Sequence, residues 1–196
     1  MAFSRLGFSS ASLEDIARSL GVTKAALYHY FPNKSSLFKA CCDQALDDVG
    51  RTLQNAQKSG TDGRSKLRLL MIGYIEWLID PSTVAMVEMQ ENALDAADRA
   101  AVDKARDSFE RGVENLVREG MKDGSIVPCD PKLVVFVLFG AANWIPRWYR
   151  QGGSWSTAQL AEAVAEMIER ALSTSPSKEL TLSVSKSARS AARARA

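Results

Sequence analysis

Histidine is almost missing from this chain of 196 residues: His29 is the only one. No serine, cysteine or carboxylate pattern beside it offers a nucleophile or an orienting group, which a catalytic histidine needs. Cysteine is scarce too. Cys41, Cys42 and Cys129 show no C-x-x-C or Cys/His spacing. Neighbouring residues of a helix point about 100° apart, so Cys41 and Cys42 do not converge on one metal. The three read as reduced, packed thiols of a cytoplasmic protein. There is no glycine-rich phosphate loop. No apolar run approaches the roughly 20 residues of a membrane span, and MAFSRLGFSS lacks the charged-then-apolar pattern of a signal peptide. Net charge is only +2, so any attraction to nucleic acid must be local. Strand alternation and hairpin signals are absent. These absences argue against a small helical enzyme, a metal site, a bound cofactor and a membrane partner.

What remains is helical periodicity in an ordinary globular composition, 46% hydrophobic and 24% charged. Ser12-x-x-Asp15 predicts a cap for a helix ending at Gly21. Thr23 caps a second, which stops before Pro32. Asn33 opens a long third helix, fading at Lys58–Gly63. Further helices are expected from Arg64 to Ile79, from Asp80-Pro81 to about Leu94, from Asp98 to Lys122, from Asp130-Pro131 to the break at Gly152-Gly153, and from Ser156-x-x-Gln159 to Leu172. The stretch KLVVFVLFGAANWIPRWYR is apolar all round and should be buried on more than one side. Beyond Pro176, five basic side chains stand against Glu179 alone in a Ser/Ala/Arg-rich segment that reads as a disordered tail. The fold class is all-α. Residues 1–48 are expected to form a small helical head, 49–174 a larger helical body and 175–196 the tail.

The head follows from SLEDIARSLGVTKAALYHYF, Ser12 to Phe31. Two short helices meet at Gly21, which can take the left-handed conformation of a sharp turn, and Ala17 is small enough for a close crossing. This is a helix-turn-helix, whose second helix is offered to the major groove. At about 100° per residue that helix divides into two faces. Ala26, Leu27, Tyr30 and Phe31 form a packing face. Lys24, Ala25, Tyr28 and His29 form a polar one. Lys24 can reach a guanine edge or a phosphate, and Ala25 lets the backbone approach the bases. Tyr28 and His29 suit phosphate oxygens, which position rather than specify. Lys34 sits at the free amides of the next helix, another phosphate site.

SLEDIARSLGVTKAALYHYFPNKSSLF, Ser12 to Phe38, resembles the TetR family of bacterial transcriptional regulators, through the frame Leu27, Tyr28, Phe31, Lys34 and Leu37. The resemblance implies a homodimer that binds double-stranded DNA with its heads and a small-molecule effector in its body, the effector releasing the operator. It places Ser12, Thr23, Lys24, Ala25, Tyr28, His29 and Lys34 at the DNA. It also implies dimerisation through the last two helices, residues 131–172, where Gly140 to Ala142 permit close approach and Trp144, Trp148 and Tyr149 can anchor. One departure stands out. The family has a full helix before the glycine matched by Gly7, and here only Met1 to Leu6 precede it. That leaves an alternative expectation: a small-molecule-binding helical dimer whose shortened head does not work.

In the body, Met71, Tyr74, Ile75, Met89, Phe109 and Phe139 form an apolar and aromatic set at helical spacing. Such a set is ordinarily core, but it also suits a cavity for a largely apolar effector. NWIPRWYRQGG, Asn143 to Gly153, adds Asn143 and Arg147 to the ligand candidates. Its mixture of arginines and flat rings resembles TetR-type regulators of fatty-acid and steroid breakdown, which implies an acyl-CoA thioester as the effector. Arginines would hold the phosphates and the apolar core the acyl chain.

Overall fold

The computed structural model describes residues 12–80, 83 and 94–174. Seven helices are found there: α1 Leu13–Leu20, α2 Lys24–Tyr30, α3 Lys34–Ser59, α4 Gly63–Leu78, α5 Ala96–Asp123, α6 Pro131–Trp148 and α7 Thr157–Leu172. The segment before Gly7, the helix expected after Asp80 with Met89, and the basic tail lie outside the described residues.

The helix starts are where capping chemistry puts them. Ser12, Asn33, Asp62 and Ser156 each accept from the amide three residues on, and each closes a reciprocal capping box. Thr23 caps α2 through the Ala26 amide, and Asp130 caps α6 with Pro131 at its first position. Two starts come earlier than the sequence suggests. α4 begins at Gly63 under the Asp62 cap, and α5 at Ala96 under Asp95. The turn between α1 and α2 is a Schellman motif. Gly21 sits at φ 68°, and Val22 N–H reaches back to the Ala17 carbonyl at 3.0 Å.

α4 is the central element, with α3, α5, α6 and α7 packed around it. Leu67, Leu70, Met71, Ile75 and Leu78 are almost wholly buried, each contributing about 1.5–3 kcal/mol through burial. At its N-terminus α4 meets α5 backbone to backbone. A Cβ on Gly63 would lie 2.1 Å from the Gly120 nitrogen. The crossing is tied by Gly63 N–H donating to Asp123 Oδ2 at 2.8 Å and by Arg64 N–H donating to Ser125 Oγ at 3.1 Å. Hydrogen bonds from Ser125 and from the Gly63 amide hold the Asp123 carboxyl below its ordinary range. On the far side, Arg64 and Arg68 pair with Glu169, and Arg68 also with Glu162, fastening α4 to α7.

Three apolar clusters follow the chain. Leu13, Ile16, Ala17, Leu27 and Leu37 make a small one in the helix-turn-helix. Phe38, Cys42 and Val102 make a second between α3 and α5. The third fills the body around α4. The expected junction at 48/49 falls inside α3, which runs unbroken through it. Burial pushes the Cys41 and Cys42 thiols up, in keeping with packed, poorly nucleophilic cysteines.

Three expectations need correction. The packing face of α2 is narrower than its wheel suggests: among the described residues only Leu27 of that helix is buried, and Tyr30 is 74% exposed. α1 and the start of α3 cover one edge of so short a helix. α6 ends at Trp148, four residues before the glycines. Pro146 has no N–H for the ladder, and Tyr149, extended at ψ 138°, closes the last bond to Ile145. Finally, α6 is buried on one side only. Val135, Leu138, Phe139, Ala142 and Ile145 face the core. Leu133, Phe136, Val137, Trp144 and Trp148 stay exposed.

Gly63→Ala forces a methyl into backbone that cannot retreat. The expected cost is about 2–3 kcal/mol, read as a fall in the midpoint of thermal unfolding by circular dichroism. Gly50→Ala, where an added Cβ meets nothing within 4 Å, is the matched control and should not destabilise.

Candidate functional site

The residues of the helix-turn-helix expected at the DNA are open to solvent to different degrees. Ser12, Thr23, Lys24, Ala25, Tyr28 and His29 are exposed, and Lys34 is half-buried at the first position of α3. They differ in what they have left to give. The Ser12 hydroxyl accepts from the Asp15 amide at 3.1 Å and donates to Asp15 Oδ2 at 2.6 Å, so its proton is in use. The Thr23 hydroxyl accepts from the Ala26 amide at 3.1 Å and keeps its own O–H to donate. Lys24 is ion-paired with Glu14 of α1 and lies 5.4 Å from the centre of the Tyr28 ring. The hydrogen bond to Glu14 raises the Lys24 pKa and lowers that of Glu14. Both groups are solvent-facing, so the pair orients the ammonium more than it stabilises the fold.

A second site lies in the body. A cavity of about 560 Å³ opens between α3, α4, α5 and α6, within the range of small-molecule sites. Of the expected ligand residues, Tyr74, Phe109, Phe139, Asn143 and Arg147 line it. Met71 and Ile75 do not. They are fully buried away from it on α4 and serve as core. Met89 lies outside the described residues. The aromatic wall is continuous: Tyr74 to Phe139 is 4.8 Å between ring centres, Phe109 to Phe139 5.5 Å, and Tyr74 to Trp77 5.6 Å. The Tyr74 hydroxyl donates to Asn143 Oδ1 at 2.7 Å. Burial pushes the Tyr74 pKa up to about 12, against a smaller lowering by that hydrogen bond. Arg147 stacks on Trp144 at 4.9 Å.

Sequence reading missed Arg99, Asp103, Arg106 and Glu110 of α5, which give the cavity a charged side. Their signal was present. They share the helical face of Val102 and Phe109, but charges there read as a solvated surface. It also missed that Phe38, Cys42, Ala45, Leu46 and Val49 of α3 line the cavity, so α3 serves the helix-turn-helix at one end and the cavity along its length.

Residues 1–41 match the family model of bacterial regulatory proteins of the tetR family, and residues 60–172 match the tetracyclin repressor-like C-terminal domain. The chain belongs to the TetR family of bacterial transcriptional regulators. It is 26% identical over 164 residues to the HTH-type transcriptional repressor KstR2 of Mycolicibacterium smegmatis, spanning 82% of this chain and 80% of that protein. PfmR, a TetR family transcriptional regulator from Thermus thermophilus, shares the fold with a TM-score of 0.77 at 26% identity, covering 86% of this chain and 92% of that one. AibR, solved in complex with isovaleryl coenzyme A and operator DNA, superimposes with a TM-score of 0.72 at 24% identity over 83% of this chain and 89% of that one, a likeness of fold. As a TetR-family member the chain is a DNA-binding, helix-turn-helix transcriptional regulator. No described helix is long and apolar enough to cross a membrane.

Tyr74 also sets a pH dependence. A buried phenol whose folded pKa lies above its unfolded value near 10 contributes stability that is complete below about pH 10. That contribution is lost as pH rises through about 12. Thermal unfolding from pH 9 to 12 should therefore fall more steeply for the parent than for Tyr74→Phe, the two curves converging at the alkaline end.

Proposed function

We propose that this regulator is a repressor that binds a pseudo-palindromic operator as a homodimer and leaves it when a largely apolar effector, an acyl-CoA thioester, enters the cavity. The observation that carries this reading is α3. One helix of 26 residues starts at Lys34, beside the reading helix, and then lines the cavity from Phe38 to Val49. A ligand that displaces those side chains acts on the same rigid element that sets the position of α2, and so on the spacing of two heads in a dimer. Binding one state better than the other is all the release requires.

The roles of individual residues follow from what they offer. Lys24 and Ala25 face base edges. Thr23, Tyr28, His29 and Lys34 position the head on phosphates, and Ser12 does so by exchanging its bond to Asp15. Lys24 is handed from Glu14 to the DNA. In the cavity, the rings of Tyr74, Phe109 and Phe139 suit an acyl chain, and Arg99, Arg106 and Arg147 suit phosphates. AibR, which binds isovaleryl coenzyme A together with operator DNA, makes that effector class the natural one to test. The exposed stripe of α6 supports dimerisation through residues 131–172. Leu133, Phe136, Val137, Trp144 and Trp148 share its outer side, with Gly140 among them and open space where its Cβ would be.

Fluorescence anisotropy on DNA from the chain's own upstream intergenic region, across a salt series, tests the whole reading. Tight, specific binding with a steep salt dependence is expected, reversed by acyl-CoA. Binding no tighter than to random DNA sinks the repressor reading and favours the ligand-binding dimer with a silent head. Lys24→Ala should weaken the complex about tenfold. Lys34→Ala should instead lower the slope of log K against log salt by about 0.9 for the phosphate no longer neutralised. Glu14→Gln, which frees Lys24, should tighten it at low salt. Phe136→Arg should convert the dimer to a folded monomer in sedimentation velocity and abolish operator binding.

A further inference from the structure

The polar groups of the cavity are not equivalent. An asparagine side chain has one acceptor oxygen and two N–H donors on its nitrogen. In Asn143 the oxygen accepts from the Tyr74 hydroxyl at 2.7 Å, which fixes which way the amide faces. Tyr74 is 8% exposed and packed between Trp77, Phe109 and Phe139, so its ring cannot swing away. With a pKa near 12 it remains a donor at any physiological pH. The Asn143 nitrogen points away from that bond and has no hydrogen-bond partner among the described residues, so both of its N–H groups remain to donate. Asn143 lines the cavity, between the aromatic wall and Arg147 one helical turn further on.

We propose that Asn143, held in one orientation by Tyr74, donates a hydrogen bond to an acceptor oxygen of the effector, placed where its apolar part meets its anionic part. Resting on the acyl-CoA reading, this makes the thioester carbonyl the recognised atom and Tyr74 a positioning residue. The site thereby distinguishes an acyl group from an alkyl group of the same length. An acyl chain fills the aromatic pocket and satisfies the amide. An alkyl thioether fills the pocket but offers the amide no acceptor, so it forgoes that hydrogen bond. Apolar contact alone discriminates poorly between chains of the same shape, so the carbonyl is the feature that tells a thioester from a thioether.

The test is calorimetric titration of the full-length protein with a matched pair, octanoyl-CoA and S-octyl-CoA. The thioester should bind about tenfold more tightly. Asn143→Leu should remove that preference. Asn143→Asp, close in shape but an acceptor when ionised, should remove or reverse it. Tyr74→Phe, which keeps the ring and removes only the hydroxyl, should lower affinity for the thioester more than for the thioether and so shrink the preference, whereas a general loosening of the cavity weakens both ligands alike. Equal binding of the two ligands to the parent protein overturns the inference and leaves the acyl-CoA reading standing. So does a preference that survives Asn143→Leu. Failure of both ligands to bind at about 1 mM overturns the acyl-CoA reading and the inference together.

Discussion

The crossing of α4 and α5 at Gly63 and Gly120 governs the shape of the body. With no side chain between them the two backbones touch, and hydrogen bonds to Asp123 and Ser125 close the gap. Along the same two helices, at Tyr74 and Phe109, two stacked rings stand 6.2 Å apart between centres. The pair is therefore tight at one end and propped by aromatic rings at the other. The tight end buries Leu67, Leu70 and Leu116 as ordinary core. The propped end borders a space that α3 and α6 also line. A cavity of about 560 Å³ is the consequence. A space of that size forgoes packing contacts, and the backbone contact at Gly63 and Gly120 sets the spacing of α4 and α5 at the other end.

That arrangement gives α3 a double dependence. Its first turn is held by the Asn33 cap and by Leu37 in the small cluster of the helix-turn-helix. Its next turns are held by Phe38 and Cys42 against Val102 of α5, and then by Val49 and Ala56 in the main core. Cys41 and Cys42 divide along this line, one packed on the small cluster and the other lining the cavity. A helix interior is stiff, and on the proposed reading a displacement at Cys42 or Leu46 would reach Lys34 as rotation or translation of the whole rod.

The sequence made some of this legible and hid the rest, for identifiable reasons. Caps are local chemistry, so Ser12, Thr23, Asn33, Asp130 and Ser156 announced their helices. Gly21 announced its turn because the left-handed conformation is a property of one residue. The charged side of the cavity was hidden because Arg99, Asp103 and Arg106 carry the charges of a solvated face. Only the tertiary position of α5 turns that face inward. Met71 and Ile75 were placed in the cavity for the opposite reason. Apolar side chains at helical spacing mark a buried helix, but nearly every face of α4 is covered. Periodicity has no power to choose among those faces; the choice is made by the glycine crossing, which fixes the rotation of α4 about its axis.

α6 shows how one misjudged boundary and one correct pattern belong together. Its apolar residues do lie all round, as the sequence indicates, yet a single chain covers half of them. The uncovered half is not scattered. Leu133, Phe136, Val137, Trp144 and Trp148 form one stripe, and a glycine lies within it. Leaving so much aromatic and aliphatic surface in water opposes the solubility of the isolated chain. The termination of the helix at Trp148 matters here. Had α6 continued to the glycines, Tyr149 would project from it. As built, Tyr149 turns back to bond Thr157 at 3.2 Å, and Trp148 and Trp155 meet edge to face at 6.4 Å. Pro146 thereby joins α6 to the start of α7, so the two helices proposed to meet a second copy are positioned by their own chain before it arrives. An interface organised in advance loses less conformational freedom on assembly.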